Sequence, residues 1–258
     1  MPATPVANSR PSADAHERVG ISRLLVCWQH PETRGYHAVG LLTADADGYE
    51  FVYLQRAHRV VGFRPFLGFS ALNRRYRSRH LFPLFAERIL DPSRPDRPGW
   101  LHALDLGEEA TPMEILARSG GHRLNDTIEL TPIPSVADDG TTTSTFLVHG
   151  VRYQGKAASD LISQLSDGEE LALVDEPSNP VNPSAIIVAH PEGQSLGYVP
   201  NPLVDYVHAV RGHSEPTVRV VRANDPDVGP HLRLLVRVDG TAPPGFRPFT
   251  GPGWEPAA

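Results

Sequence analysis

The sequence is poor in cysteine and lysine, since Cys27 is the single cysteine and Lys156 the single lysine among 258 residues. One cysteine excludes an internal disulfide and any multi-cysteine zinc site. No apolar run approaches the ~20 residues that span a bilayer, and residues 1–17 lack the apolar core of a secretory signal. We therefore expect a soluble, cytoplasmic protein with no membrane partner.

Common catalytic motifs are also missing from the sequence. There is no phosphate-binding Gly-x-x-x-x-Gly-Lys-Ser/Thr loop, no His-Glu-x-x-His and no Gly-x-Ser-x-Gly, and the 12 histidines are scattered. The glycines of Ser119-Gly-Gly-His122 follow a predicted helix, which is typical of a helix carboxyl cap and not of a phosphate site. The sequence thus predicts a non-enzymatic protein with no cofactor, no metal and no catalytic residues.

Positive charge is in the minority, with 24 basic against 30 acidic residues and a net charge of −6. Residues 145–240 hold seven basic and twelve acidic residues, a balance of −5. A general duplex-DNA binder normally carries a basic excess. Any nucleic-acid contact of this half must therefore be local, through a pocket or a small patch.

Composition and periodicity divide the amino-terminal half. Residues 1–18, rich in Pro, Ala and Ser, are predicted to be disordered. Residues 19–134 are predicted to form a smaller α+β domain, with strands at 24–28, 38–43 and 51–54 and a helix over 79–90 despite Pro83. A second helix begins at Thr111-Pro-Met-Glu114, where Thr111 and Glu114 can form a capping box, and ends at Gly120. The polar segment 135–144 is predicted to be the interdomain linker.

The carboxyl-terminal half reads mostly as strands. Apolar runs at 146–151, 171–174, 185–189, 195–199, 218–222 and 232–238 predict short strands, and 156–165 and 202–211 predict two short helices. Many short strands with two helices indicate a small closed or partly open barrel over 145–240. A Pro/Gly-rich tail, 241–258, follows, and its Gly-Phe-Arg-Pro-Phe at 245–249 repeats residues 62–66.

Three segments resemble the HIRAN family and occur in the family's order. They are His149-Gly-Val-Arg-Tyr153, the stretch 171–188 with Glu176-Pro-Ser-Asn-Pro-Val-Asn182, and Leu196-Gly-Tyr-Val-Pro200. Family members typically show Glu-Pro-x-Asn-Pro-Tyr-Asp-x-x-Ala-Ile-x-Val followed by Leu-Gly-Tyr-Val/Ile-Pro. The resemblance implies an OB-like β-barrel, so the predicted fold class is α+β, mainly β, with this barrel and its two short helices after the smaller α+β domain.

The resemblance also implies a function, because the well-understood family member holds the 3′ end of single-stranded DNA. Carried over by position, Arg152 meets phosphate, Tyr153 stacks on a base, Asn179 shapes the pocket loop and Tyr198 places a ring against the nucleotide. Val181 and Asn182 depart from the family's Tyr-Asp: Val181 cannot stack, and Asn182 accepts a hydrogen bond without a carboxylate's charge. The expected fold therefore transfers better than the 3′-end specificity.

The amino-terminal half is faintly similar to the small amino-terminal subdomain of HipA-type kinases, without the kinase domain that follows there. It also contains the densest basic cluster of the chain, a candidate for phosphate contacts whose alternative is a solvated surface or an interdomain ion-pair surface. The cluster consists of Arg74, Arg75, Arg77 and Arg79.

Three functions are compatible with these patterns. The first is a nucleic-acid-binding module for single-stranded or end-bearing DNA in DNA repair or processing, with a helicase or nuclease as a possible protein partner. The second is a protein-interaction adaptor in a toxin–antitoxin-like or DNA-damage assembly, which the acidic balance favours. The third is an accessory to a zinc-dependent or phosphoanhydride hydrolase or helicase.

Overall fold

The computed structural model describes residues 22–123 and 126–258, so the segment predicted to be disordered, 1–18, lies outside the described residues. Within these residues the chain is mainly β, with two antiparallel sheets and a few short helices. No helix in the described part of the chain is long and apolar enough to cross a bilayer.

The first sheet has the strand order β4-β3-β2-β1-β5. Three short helices, α1 (Pro83–Ala86), α2 (Arg97–Ala103) and α3 (Pro112–Ser119), lie between its last two strands in the chain. One face of the sheet packs an aromatic cluster around the buried Phe51, which contacts Tyr53, Phe69 and Phe85. The strands are β1 (Arg23–Gln29), β2 (Tyr36–Asp45), β3 (Gly48–Tyr53), β4 (Tyr76–Ser78) and β5 (Ile128–Pro132).

The helix predicted over 79–90 is wrong in extent, because α1 spans only Pro83–Ala86. Phe82 is extended with a ψ of 142°, and Pro83 takes the first helical position, where its missing N–H breaks no intrahelical hydrogen bond. The predicted start of α3 is confirmed: Thr111 and Glu114 form a capping box, and Gly120 ends the helix in the left-handed conformation.

The second sheet has the order β10-β9-β8-β11-β12-β7-β6. Helices α4 (Gly155–Ile162) and α5 (Val204–His213) complete its core, which includes Ala158, Ile162, Val207 and Val210. No strand ladder closes this sheet into a barrel across residues 126–258; two backbone hydrogen bonds between His149 and Tyr198 link β10 to the segment after β7. Its strands are β6 (Ser135–Val136), β7 (Thr141–Leu147), β8 (Glu170–Asp175), β9 (Ile186–Ala189), β10 (Ser195–Tyr198), β11 (Thr217–Ala223) and β12 (Leu234–Thr241).

The segment predicted as a linker, 135–144, belongs to the second sheet, and this prediction is wrong. Strand β6 pairs with β7 in a hairpin that starts at Ser135. The buried Thr142 hydroxyl lies 2.6 Å from the Ser135 carbonyl oxygen and 3.0 Å from the Tyr206 hydroxyl. Threonine favours strands because of its branched Cβ, and the partners of the Thr142 hydroxyl let this polar run form an inner strand.

The helical segment of the first half packs directly against the second sheet. Leu104, which follows α2, packs with Leu147 and Leu235 of the second sheet. Asn224 donates from Nδ2 to the Ala103 carbonyl oxygen at 2.8 Å, and Arg222 pairs with Asp105 at 2.7 Å. The helical segment of the first half therefore forms part of the packing of the second.

The Pro/Gly-rich tail returns to the first sheet. Phe249 and Trp254 pack against the cluster that contains Leu25, Cys27 and Leu54. The Ala257 N–H donates to the Tyr53 carbonyl oxygen at 2.8 Å, and the Arg56 guanidinium lies 4.1 Å from the centre of the Trp254 ring. The tail thus covers the face of the first sheet opposite the aromatic cluster.

Candidate nucleic-acid interface

Two glycines allow the close approach at which the site is built. At Gly197 in β10, φ is +147° and an added Cβ would lie 2.4 Å from the His149 carbonyl oxygen. At Gly150, φ is +70° and an added Cβ would lie 3.2 Å from the Tyr198 ring and 4.0 Å from the Tyr153 ring. The turn at Gly150 therefore lies close to both the Tyr153 and the Tyr198 ring.

Tyr153 is the open aromatic surface of the site. It ends a 3₁₀ turn, Val151–Tyr153, and its side chain is 72% exposed. The Arg152 guanidinium lies 4.6 Å from the centre of the Tyr153 ring and bonds to its hydroxyl. This contact holds the ring while leaving it accessible for stacking.

The Tyr198 hydroxyl faces three polar side chains. Burial raises the pKa of Tyr198, and the Glu176 carboxylate raises it further, while hydrogen bonds from Gln154 and Asn179 act in the opposite direction. The phenol is thus neutral at neutral pH and can donate a hydrogen bond. Sequence reasoning assigned no role to Gln154 or Glu176, although both stand beside assigned residues in the motif segments.

Asn179 holds the loop between β8 and β9. Its Oδ1 accepts hydrogen bonds from the N–H groups of Val181 at 3.0 Å and Asn182 at 3.1 Å, and its Nδ2 donates to Glu176 at 2.6 Å. An asparagine before proline often forms such a turn. Asn179 thus links the shape of this loop to the polar groups around Tyr198.

Asn182 is already engaged by neighbouring protein groups. Its Nδ2 donates to Asn201 Oδ1 at 2.5 Å, and its Oδ1 accepts from the Ser184 N–H at 2.9 Å. Val181 beside it is 57% exposed. A ligand hydroxyl at this position would meet the Asn182 amide, which has few free hydrogen-bonding positions. It would also meet the aliphatic side chain of Val181.

Arg152 stands out among the basic residues of 145–240, a range that the structure describes completely. Arg233 is buried and donates to Ser159, Ser163 and the Asn224 carbonyl oxygen. Arg152 has no carboxylate partner in this range and borders a shallow groove that Lys156 and Arg233 also line. The other five basic residues pair with carboxylates: Lys156, Arg211, Arg219, Arg222 and Arg237.

The four arginines predicted as phosphate contacts lie elsewhere. They surround β4, at one edge of the first sheet. The opposite edge strand, β5, is the one next to the motif segment, since its Glu129 lies 3.4 Å from His149. Four strand spacings of ~4.8 Å place the edges about 19 Å apart. Arg75 and Arg77 share Glu50 as their ion-pair partner, and Arg74 lies over the Tyr76 ring. The structure therefore does not bring this cluster together with Tyr153 and Tyr198.

Titratable side chains meet at the joint between the two sheets, beside the site. The His122 and His231 rings lie 4.4 Å apart. Burial lowers the pKa of His231 to about 4, with a further contribution from His122. Burial also lowers the pKa of His122; His149, Arg152 and Arg88 act in the same direction and Asp126 opposes them. Protonation of this pair is thus unfavourable in the folded protein.

We expect the fold to lose stability on acidification, in part through this pair. The pKa of His231 is lower when folded than its ordinary value of 6.5, so the unfolded chain binds more protons between about pH 6.5 and about pH 4. Stability is therefore fully present above about pH 6.5 and falls as the pH drops through this window. Thermal melts of His231→Gln should lose less stability between about pH 7 and about pH 5 than melts of the wild type. Equal losses would contradict the assignment.

Two solved structures and one family model are similar to part of the chain. A crystal structure of a protein from Lactobacillus plantarum is 18% identical with a TM-score of 0.32, and covers 43% of this chain and 96% of that one. The crystal structure of the HIRAN domain of human HLTF is 16% identical with a TM-score of 0.31, and covers 43% of this chain and 78% of that one. No curated protein matches.

The family model covers residues 142–229 and leaves the first sheet outside it, so the similarity of 19–134 to the HipA subdomain stays a prediction. The three motif segments that resemble the HIRAN family all lie within the matched range. The matching model is described as the HIRAN domain, and it matches residues 142–229 of this chain.

Proposed function

We propose that this protein binds single-stranded DNA, including DNA 3′ ends, through the surface of Tyr153, Tyr198 and Arg152. HIRAN domains are nucleic-acid-binding modules. The match over 142–229 is therefore consistent with DNA binding. One observation carries the proposal: the exposed basic residue without a carboxylate partner in 145–240, Arg152, lies over the exposed Tyr153 ring, and the Gly150 turn before it approaches the Tyr198 ring. The combination provides a stacking surface and a phosphate contact at one place.

Each group at the site has a chemical role in this proposal. A base stacks on the exposed Tyr153 ring, which contributes about 1–3 kcal/mol. Arg152 contacts a phosphate, and the groove next to it continues towards Lys156. The neutral Tyr198 hydroxyl and the loop held by Asn179 and Asn182 meet the sugar or a terminal hydroxyl.

Local contacts must provide the affinity, because the balance of −5 over 145–240 repels a polyanion. The four arginines at β4, on the edge of the first sheet opposite β5, are a second phosphate-binding surface in this proposal. A role in DNA repair or processing, a cytoplasmic location, the absence of enzymatic activity and a helicase or nuclease partner belong to the proposal as well. They rest on the family resemblance and on sequence features alone.

Fluorescence anisotropy with labelled single strands tests the function. Strands with a free 3′ hydroxyl should bind at low salt (~50 mM), and affinity should fall as salt is added. A 3′-blocked strand should bind more weakly, with a modest difference because Val181 and Asn182 replace the family's Tyr-Asp. Absence of binding at low salt would refute the proposal.

Exposed aliphatic side chains favour a second candidate, a protein-interaction adaptor. Val174 and Val181 are 47% and 57% exposed, and Asp175 and Glu176 accompany them at the end of β8. Such a surface fits a partner with apolar and basic side chains. This candidate replaces the first if the intact protein binds no single strand.

A further inference from the structure

Two consecutive turns after β3 present aliphatic side chains to solvent. The Phe63 N–H donates to the Val60 carbonyl oxygen at 3.2 Å, and the Phe69 N–H donates to the Phe66 carbonyl oxygen at 2.9 Å. The third residue of each turn is a glycine with positive φ, +76° at Gly62 and +86° at Gly68, which is the type II arrangement. Val61 and Leu67, the second residues, are 83% and 94% exposed.

The turns are held rigidly from beneath. The buried Tyr53 donates from its hydroxyl to the Phe69 carbonyl oxygen at 3.0 Å and accepts from the Phe66 N–H at 2.7 Å. The Phe63 ring packs edge to face against Trp28 and Phe66, with centroids 5.6 and 5.4 Å apart. Since the aromatic residues anchor the backbone, the two aliphatic tips are fixed in place without contributing to the core.

A third turn of the same kind shows that the aliphatic tips are not required for the fold. The Phe246 N–H donates to the Pro243 carbonyl oxygen at 3.0 Å, and Gly245 has a φ of +75°. The second residue there is Pro244, the residue that type II turns favour at this position. Val61 and Leu67 hold the corresponding positions with exposed apolar side chains that the turn does not need.

The chain around these tips is basic throughout. Between Glu50 and Glu87 there is no acidic residue, whereas seven arginines occur, so the rest of the chain carries a balance of −13. The two nearest arginines, Arg59 and Arg64, are exposed and border the tips in the sequence. Duplex DNA has negatively charged phosphates on its outside and stacked, largely apolar bases inside. Positive charge on both sides of protruding apolar side chains complements this arrangement.

We propose that Val61 and Leu67 enter base steps of duplex DNA while Arg59 and Arg64 contact the flanking phosphates. The inference deepens the proposed function and rests on it: the HIRAN domain holds a single-stranded segment, and the first sheet engages the adjoining duplex. Proteins that kink DNA commonly insert aliphatic side chains between base pairs and hold the backbone with arginines. Rigid anchoring favours this role, because a wedge that could move aside would leave the bases stacked.

Duplex DNA fits these features better than a protein partner does. The two tips stand on separate turns six residues apart in the sequence, each as a single protruding side chain. Each tip has the size of one side chain, which suits the gap between two base pairs. The chain between the tips consists of Gly62, the anchored Phe63 and Phe66, and Arg64-Pro65, and it supplies positive charge and no carboxylate.

The test uses the full chain and a duplex with a 3′ single-stranded extension that carries 2-aminopurine at successive positions near the junction. Wild-type binding should raise the fluorescence at one or two steps, because 2-aminopurine brightens when it is unstacked. The double variant Val61→Ser with Leu67→Ser should lose this rise, while its Kd by anisotropy stays within about threefold because the lost contacts and the avoided unstacking offset each other. Pro244→Ser is the matched control, since it changes the same position of the third turn, and it should behave as the wild type.

The outcomes separate the two proposals. A fluorescence rise that persists in the double variant overturns the wedge while leaving DNA binding intact. Binding without a rise at any position in the wild type overturns it as well. If the wild type binds neither this DNA nor single strands, both the wedge and the proposed function are wrong. The variants test the wedge without disturbing the fold, because both side chains are exposed.

Discussion

Replacing Phe249 and Trp254 together by alanine is expected to destabilise the whole protein by about 3–5 kcal/mol, since each aromatic side chain is half-buried against the first sheet. For a chain of this size the melting temperature should fall by roughly 6–20 °C. These two side chains connect the two ends of the chain. They follow β12 in the sequence, and they cover Leu25, Cys27 and Leu54 of the first half.

The shape of the transition carries as much information as its midpoint. Contacts of Leu104, Arg222 and Asn224 also join the two sheets, so we expect the wild type to unfold in one step by calorimetry and by denaturant. Leu67→Ala is the control, because its side chain is 94% exposed and its loss should change stability by less than about 0.5 kcal/mol. Two separate transitions in the wild type, with the aromatic variant affecting one, would favour two independently folding halves.

Local signals along the chain predicted much of the fold. The capping box at Thr111 and Glu114 and the glycine that ends α3 depend on a few neighbouring residues, and both are present. Predicted strands of the second half coincide with β8 to β12 within a few residues. The apolar pattern of 79–90 predicts too long a helix, because Pro83 can begin a helix but disrupts one from within.

Long-range pairing decided the features that the sequence did not reveal. A polar run such as 135–144 has the composition of a linker, and only the partners of Thr142 make it a strand. The tail is rich in Pro and Gly, and its aromatic residues find their partners about two hundred residues earlier in the chain. The same holds for the site. The motif resemblance predicted Tyr153, Asn179 and Tyr198, whereas the hydrogen bonds of Gln154 and Glu176 to the Tyr198 hydroxyl depend on the folded structure.

Tyr153→Ala is expected to weaken binding of single-stranded DNA by about 5- to 150-fold, the range that corresponds to about 1–3 kcal/mol of stacking on one ring. Tyr153 is 72% exposed, so this loss should occur without a change in melting temperature. Tyr153→Phe keeps the ring and removes only the hydroxyl that bonds to Arg152, so its affinity should remain close to that of the wild type.

Salt dependence distinguishes stacking from charge at the same place. Arg152→Gln removes about one phosphate contact and should make the slope of log affinity against log salt shallower by about 0.7. Tyr153→Ala should leave this slope unchanged, because stacking releases no counterion. The two variants should therefore differ in their salt slopes, although the Arg152 guanidinium lies only 4.6 Å from the Tyr153 ring centre. If Tyr153→Phe binds as weakly as Tyr153→Ala, the ring is not a stacking surface. If Arg152→Gln leaves the slope unchanged, the phosphate contact lies elsewhere, and the arginines at β4 become the principal candidates for it.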